Sequence, residues 1–246
     1  MKHWNTNSIS HIFYSAVASV HIFDGSSSCS AYSGRFRKIF GLNTKQVFLS
    51  HGVTRCNIPM YNYSRSKFDL ITVVSKKEYE YVNKVWGYPE ENIALTGFAR
   101  HDDLIKNCSD AGYVLIMPTW RNEFKKISDA DFVDSRFFKE YQSLLNNKQF
   151  IDFLRDNNLK LRLYLHYMIK DKRKLFLYPT DVEIYDVTNS VHELLRDCSL
   201  LITDYSSVSF DAALVGKPII YYQFQDDHYN QDDSYFKYYV DGFGPV

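Results

Sequence analysis

LLITDYSSVSFD, at Leu200–Asp211, passes from a short apolar run into small hydroxyl residues and then into a helical pattern. Leu200–Thr203 has no polar face, which suits a strand buried on both sides in a parallel sheet. Asp204-Tyr205-Ser206-Ser207 turns the chain, and the helix that follows runs to Val215. Gly216-Lys217-Pro218 then interrupts it before a further strand at Ile219–Tyr222. This is one strand–turn–helix–strand unit of an α/β fold.

The same cadence extends upstream. Tyr113–Met117 reads as a strand stopped by Pro118, Phe137–Asn157 as mostly helical, and Leu159–Leu165 as a strand running into His166. A strand at Val182–Tyr185 precedes a helix at Val191–Asp197. Earlier still, apolar residues from Ser8 onward recur at helical spacing and lead into a strand at Val20–Phe23, followed by a small-residue loop at Gly25–Ser30. Gln46–Leu49 is a short strand that ends at Ser50-His51-Gly52, and Leu70–Val74 is another. Ser75 with Glu78 three residues on has the pattern of a capping box, so a helix opens there and ends near Gly87. Ile93–Thr96 is the next strand, closed by Gly97. Short apolar strands alternating with helices predict parallel sheets covered on both faces. The polar break at Asn107–Gly112 divides the chain into two Rossmann-like halves, with a cleft expected between them.

Composition narrows the function. Lys+Arg 29 balances Asp+Glu 29, for a net charge of +0, so the chain does not attract a polyanion wholesale and a nucleic-acid partner is not expected. Cys29, Cys56, Cys108 and Cys198 lack zinc-ligand or redox spacing and read as reduced thiols. No run of about 18 apolar residues crosses a membrane, and His11, Ser15, Ser19 and His21 break any secretory pattern at the start. These features place the chain in the cytoplasm or on its face of a membrane. Aromatic residues reach 17%, and tyrosines in polar company (Tyr61, Tyr63, Tyr79, Tyr81, Tyr238, Tyr239) suit half-buried rings with wet hydroxyls.

Ligands of open α/β sheets collect at the carboxyl ends of the strands, where several polar clusters fall. Ser206 and Ser207, at a helix start, offer backbone N–H groups and hydroxyls to a phosphate, and Asp211, about one turn on, lies within reach of a ribose hydroxyl. Alternatively Asp204 or a serine caps the helix. His51, beside Gly52, is a general base or a structural histidine. His166, with Lys170, Lys172 and Arg173 nearby, donates to a phosphate or sits beside a solvated basic face. Thr119, Trp120 and Arg121 follow a strand; the arginine suits bidentate phosphate contact, or the Trp anchors the loop under a surface Arg. Arg100 points to the same expected cleft. His3, His192 and His228 read as surface or capping residues, Asp226-Asp227 as a solvated pair, and no cluster has metal-ligand spacing.

In order along the chain stand FLSHGVTR at Phe48–Arg55, FDLITVVSKKEYE at Phe68–Glu80, LTGFARHDDL at Leu95–Leu104 and VLIMPTWRN at Val114–Asn122. LYLH at Leu163–His166, LLITDYSSVSFDAAL at Leu200–Leu214, KPIIYYQF at Lys217–Phe224 and YFKYYVDGFGPV at Tyr235–Val246 complete the series. This ordered set resembles the CDP-glycerol glycerophosphotransferase family, the teichoic-acid primases and polymerases and their capsule-making relatives. The resemblance implies a GT-B-type fold: a partial acceptor-side domain at 1–107 and a CDP-donor-binding domain at 108–246 that lacks its closing helix. It implies transfer of a polyol phosphate, glycerol phosphate first, from a CDP-polyol to a hydroxyl of a lipid-linked glycan or polyol-phosphate acceptor, with release of CMP and no required metal. Such an enzyme works at the inner face of a bacterial membrane.

By the same resemblance His51 is the base for the acceptor hydroxyl, and His166 the second essential histidine, steadying the pyrophosphate or departing CMP. Gly52, Val53, Thr54, Arg100, Thr119, Trp120, Arg121, Ser206, Ser207 and Asp211 fall at donor-binding positions. Three positions depart from the usual pattern: His-Gly-Val-Thr-Arg replaces His-Gly-Thr-Pro, Tyr167 replaces a Pro after the second histidine, and Ala99 replaces a Pro before Arg100. The resemblance also implies that the chain begins partway through the first half and stops before the closing helix. Two other readings share the fold: a GT-B glycosyltransferase using a nucleotide sugar, and a catalytically silent nucleotide-binding fragment.

Overall fold

The computed structural model describes residues 14, 17–25, 44–180, 182–185, 190–224, 234–236 and 241–245. Most of the expected helix ahead of Val20, the loop after Gly25, Cys29, His3, His228, Tyr238, Tyr239 and Asp226-Asp227 lie outside the described residues. Two compact units divide the chain, Met1–Ala99 and Arg100–Val246.

In the first unit β1 (Val20–Phe23), β2 (Lys45–Phe48), β3 (Leu70–Val73) and β4 (Ile93–Leu95) form a parallel sheet in the order β1-β2-β3-β4. Phe23 pairs with Phe48, and Phe48 with Ile71, which aligns the carboxyl ends of the first three strands. Beneath those ends lies an aromatic core. Phe48 and Phe68 stack at 5.1 Å between centroids, and Tyr61 lies 4.8 Å from Phe48 and 5.8 Å from Trp86. Each such pair contributes about 1 kcal/mol beyond its buried area. Tyr61 and Tyr81 are buried, not half-exposed as their polar neighbours suggest. Between β3 and β4 runs α1 (Lys76–Lys84), with Tyr81 and Val82 turned inward. Its cap is the one expected: extended Ser75 accepts the N–H of Glu78 at 3.1 Å, a contact worth about 1 kcal/mol. Gly87, at φ +77°, turns the chain after the helix.

The second unit opens with α2 (Ala99–Lys106), followed by β5 (Tyr113–Ile116), α3 (Asp129–Asp134), α4 (Arg136–Leu145) and α5 (Lys148–Asp156). Then come β6 (Lys160–Tyr164), β7 (Val182–Tyr185), α6 (Val191–Asp197), β8 (Leu200–Thr203), α7 (Val208–Leu214) and β9 (Ile219–Tyr221). The sheet is parallel in the order β7-β6-β5-β8-β9, so β5 is central, and all four of its residues are buried. Strand alternation sends Val114, Ile116, Leu161, Leu163 and Ile202 to one face, against Phe132, Phe137, Tyr141 and Leu154 of α3 to α5. Tyr113, Leu115, Tyr164 and Leu201 go to the other face, against Leu104, Leu194, Leu195 and Ala212 of α2, α6 and α7. Truncating a central residue such as Leu115 to alanine costs about 2–5 kcal/mol.

The division falls ahead of the polar break at Asn107–Gly112 because α2 belongs to the second core. Leu104 is fully buried there, and Arg100 and His101 are tied to Asp211. At the other end of the chain Pro245 accepts the N–H of Tyr221 at 2.8 Å. A Cβ on Gly244 would stand 1.8 Å from the Ile219 carbonyl oxygen, so only glycine lets the late Asp-Gly-Phe-Gly segment lie this close to β9.

Candidate active site

In the first unit Leu49 and Ser50 lead from β2 to His51. Ser50 takes a left-handed φ of 57°, and its hydroxyl donates to the Gly52 carbonyl at 2.8 Å, closing a tight turn. His51 is exposed, and its Nδ1 lies 3.1 Å from the Asp24 carbonyl at the end of β1. A carbonyl oxygen only accepts, so Nδ1 carries the ring proton and Nε2 of the neutral ring keeps its lone pair. Gly25 makes room for the ring: a Cβ there would stand 2.9 Å from Nδ1. The Tyr61 hydroxyl, donating to the Gly25 carbonyl at 2.6 Å, fixes that backbone. Gly52 and Val53 are buried, and the Thr54 N–H donates to Glu78 Oε1 at 2.8 Å. Val53, expected at the substrate, is 7% exposed and so is a packing residue in this structure.

In the second unit His166 follows β6. Its Nδ1 accepts the N–H of Met168 at 3.3 Å, so in the neutral ring the proton sits on Nε2. Burial pushes the imidazole below its ordinary value, which keeps it neutral at pH 7. Trp120 stacks on it at 5.5 Å with 15° between planes, and Tyr167, more than half exposed, tilts against it at 4.4 Å. The basic run behind it is partly committed: Lys172 donates to the Ile127 carbonyl and pairs with Asp129 at 2.7 Å.

The loop carrying Trp120 is held by Asp204. Asp204 Oδ1 accepts the N–H of Thr119 at 2.8 Å and of Tyr205 at 2.7 Å, and Oδ2 pairs with Arg121 at 2.8 Å. Asp204 is therefore not the helix cap of one sequence reading. Arg121, expected on a donor phosphate, is 3% exposed, donates also to the Thr119 carbonyl, and lies over the Phe137 ring at 4.7 Å. Breaking such a buried pair costs about 3–5 kcal/mol, so Arg121 is a scaffold residue. The Thr119 hydroxyl is buried and makes no hydrogen bond to the described residues.

Arg100 and Asp211, both expected at the donor, are brought together with each other. Arg100 Nε and Nη2 reach the carboxylate at 3.2–3.3 Å, and His101 Nε2 lies 2.9 Å from Oδ1. Both carboxylate oxygens are taken and Asp211 is 8% exposed, so it anchors Arg100 instead of reaching out to a ribose. Ser207 stands at the start of α7 in helical geometry with no side-chain cap bond, while the Ser206 hydroxyl accepts the N–H of Val208 at 3.4 Å. His192 lies 3.1 Å from Asp103, as a surface residue would. Burial pushes the Cys198 thiol up to about 12, so it is inert. Among the described residues no group of three or more His, Cys, Asp or Glu side chains is placed to hold a metal ion. Nor is any helix among them long and apolar enough to cross a membrane.

His101 and the Asp24 carbonyl stand outside the residues the sequence singles out, and the Ser75–Glu78 pattern points to a helix cap, whereas the Glu78 side chain bonds Thr54 and Val74. His101 carried a signal in its adjacency to Arg100; the carbonyl carried none, since any residue supplies one.

Two parallel α/β units, with histidines beyond the carboxyl ends of strands in each, make a fold of the GT-B type. Over residues 2–246 the sequence matches the family described as CDP-Glycerol:Poly(glycerophosphate) glycerophosphotransferase, and the chain belongs to that family. It is 34% identical to the "Minor teichoic acid biosynthesis protein GgaB" of Bacillus subtilis (strain 168), over 86% of this chain and 24% of that protein. It is 27% identical to a "Teichoic acid poly(glycerol phosphate) polymerase" of Staphylococcus epidermidis, over 76% of this chain and 27% of that protein. The chain thus spans about a quarter of the length of these relatives. The Wall Teichoic Acid Polymerase TagF superposes with a TM-score of 0.65 at 18% identity, over 92% of this chain and 60% of that one, a likeness of fold.

Proposed function

We propose that this chain transfers a polyol phosphate, glycerol phosphate first, from a CDP-activated donor to a hydroxyl of a lipid-linked acceptor, releasing CMP. The observation that carries this reading is the Nδ1 contact of His51, which leaves Nε2 as an exposed base. Nε2 takes the acceptor's hydroxyl proton as that oxygen attacks the phosphorus bearing the polyol. The bond from that phosphorus to the CMP oxygen breaks, CMP leaves with the electron pair, and His51 returns its proton to water.

His166 offers the opposite group, a neutral Nε2–H that hydrogen-bonds a pyrophosphate oxygen and follows the charge onto CMP. Arg100, held by Asp211 and His101, supplies positive charge to the donor phosphates. The Thr119 hydroxyl, Trp120, Ser206 and Ser207 complete the donor site, while Gly52 and Thr54 shape the His51 loop. The mechanism asks for no metal or other cofactor, since charge neutralisation falls to Arg100, His166 and hydroxyl donors. The lipid-linked acceptor places the enzyme on the inner face of a bacterial membrane as a peripheral protein. Family membership supports this reading over a nucleotide-sugar glycosyltransferase, as does the fold's likeness to a TagF variant solved with CDPG.

Titration calorimetry with CDP-glycerol against UDP-N-acetylglucosamine, followed by a CMP-release assay with a lipid-linked glycerol phosphate acceptor, tests it. Selective CDP-glycerol binding with acceptor-dependent CMP release is the expected result. Equal or preferred binding of the UDP-sugar, or binding without turnover, overturns it.

A further inference from the structure

Glu78 is 2% exposed, yet among the described residues the partners of its carboxylate are backbone N–H groups and not a cation. Oε2 accepts the N–H of Val74 at the end of β3, and Oε1 accepts the N–H of Thr54 in the loop that follows His51, both at 2.8 Å. The S-x-x-E pattern alone predicts a local helix cap, in which the Glu side chain turns back to the Ser75 N–H. Here Ser75 does its half of that task and the Glu side chain does another. It ties the histidine loop after β2 to the neighbouring strand β3. Burial pushes the carboxyl above its ordinary value, and the two N–H donors pull against that shift. Holding a carboxylate in such a place is costly, and a neutral helix cap would not require it.

We infer that Glu78 is a positioning residue for His51, holding the Ser50–Thr54 turn so that the ring keeps Nδ1 on the Asp24 carbonyl and Nε2 toward the acceptor hydroxyl. The turn is fixed at its start by left-handed Ser50 and at its end by Glu78. Between these points, among the described residues, the ring's backbone partner is the Asp24 carbonyl. Loosening the far end lets the ring leave that carbonyl, and a displacement of about 1 Å costs on the order of 10²-fold in rate.

The role rests on His51 acting as the base, so the test carries one readout that needs no turnover. In Glu78→Gln the amide keeps one acceptor oxygen and sets an NH₂ against the second N–H. Long-range ¹H–¹⁵N spectra of the imidazoles in the free protein are expected to show His51 losing its single Nδ1–H tautomer. In the CMP-release assay kcat is expected to fall about 10²-fold, with CDP-glycerol affinity within about twofold. In a His51→Ala background the same substitution is expected to have no further effect on kcat.

Ser75→Ala is the control: it removes the cap of α1 but leaves the Glu78 bridge, and is expected to lower thermal stability with tautomer and kcat unchanged. If Glu78→Gln does not fold, Glu78→Asp, which keeps the charge but shortens the arm by one methylene, reads the same quantities. An unaltered His51 tautomer in either folded variant overturns the proposal. So does a fall in kcat that persists undiminished in the His51→Ala background. A tautomer change in a chain with no CDP-glycerol turnover upholds the positioning role and refutes the functional reading instead.

Discussion

The two units solve one problem with opposite wiring. In each, a histidine stands beyond a parallel strand and a backbone contact to Nδ1 sets the tautomer. The Asp24 carbonyl makes Nδ1 of His51 the donor, and the Met168 N–H makes Nδ1 of His166 the acceptor. One Nε2 is thereby a base and the other a hydrogen-bond donor. In each unit a buried carboxylate also grips the N–H of a threonine in a loop beyond a neighbouring strand: Glu78 holds Thr54, and Asp204 holds Thr119. Asp204 has Arg121 against it, whereas Glu78 relies on N–H groups. The lesson is that the chemical role of a histidine is written in the backbone atom behind it, not in its position after a strand.

Removing the base should have the largest effect. His51→Ala is expected to lower CMP release by about 10²–10⁴-fold while leaving the affinity for CDP-glycerol, measured calorimetrically, nearly intact. Comparable turnover would erase the distinction between the two histidines. Next comes Asp204→Ala, which leaves Arg121 buried without its carboxylate and is expected to cost about 3–5 kcal/mol in urea unfolding. A loss below about 1 kcal/mol would mean the Arg121 pair is not the scaffold described. Trp120→Ala, which deletes the ring stacked on His166, should cost about 1 kcal/mol and raise the His166 pKa toward its ordinary value, as an NMR titration would record.

The pH dependence carried by His166 should be smaller. Its folded value lies below the ordinary one, so above about pH 6.5 both folded and unfolded chains are neutral there and stability does not depend on it. As pH falls from about 6.5 toward the folded value, the unfolded chain binds a proton that the folded one does not, and stability is lost across that window. Urea unfolding at several pH values in wild type and His166→Phe isolates this contribution as the difference between the two curves. The smallest expected effect is none at all: EDTA should leave CMP release unchanged, and a loss restored by a divalent cation would refute the metal-free mechanism.

Much of this architecture was legible in the residues. Tyr113–Met117 and Leu200–Thr203 are apolar on both faces, and such runs have few alternatives to a buried strand. The Ser75 cap was legible because its partner is three residues away. The fates of Arg121 and Asp211 were not. An arginine that clamps a phosphate and one that fills a buried ion pair are the same residue type after the same kind of strand, and only the distant partner decides. Asp204 claims Arg121, while Arg100 and His101, on another element, claim Asp211. The 3₁₀ stretch at Tyr167–Leu175 was equally hidden, since Lys170–Lys174 gives no apolar period and its anchor, Lys172 on Asp129, is long-range.

The opposite wiring of the two histidines can be tested without substrate. Long-range ¹H–¹⁵N correlation of the imidazole rings near pH 7.5, assigned with His51→Ala and His166→Phe, reads the tautomer of each. The structure predicts protonated Nδ1 with bare Nε2 for His51, and bare Nδ1 with protonated Nε2 for His166. The same tautomer on both rings, or a proton on Nε2 of His51, would contradict the assignment of base and donor on which the mechanism stands.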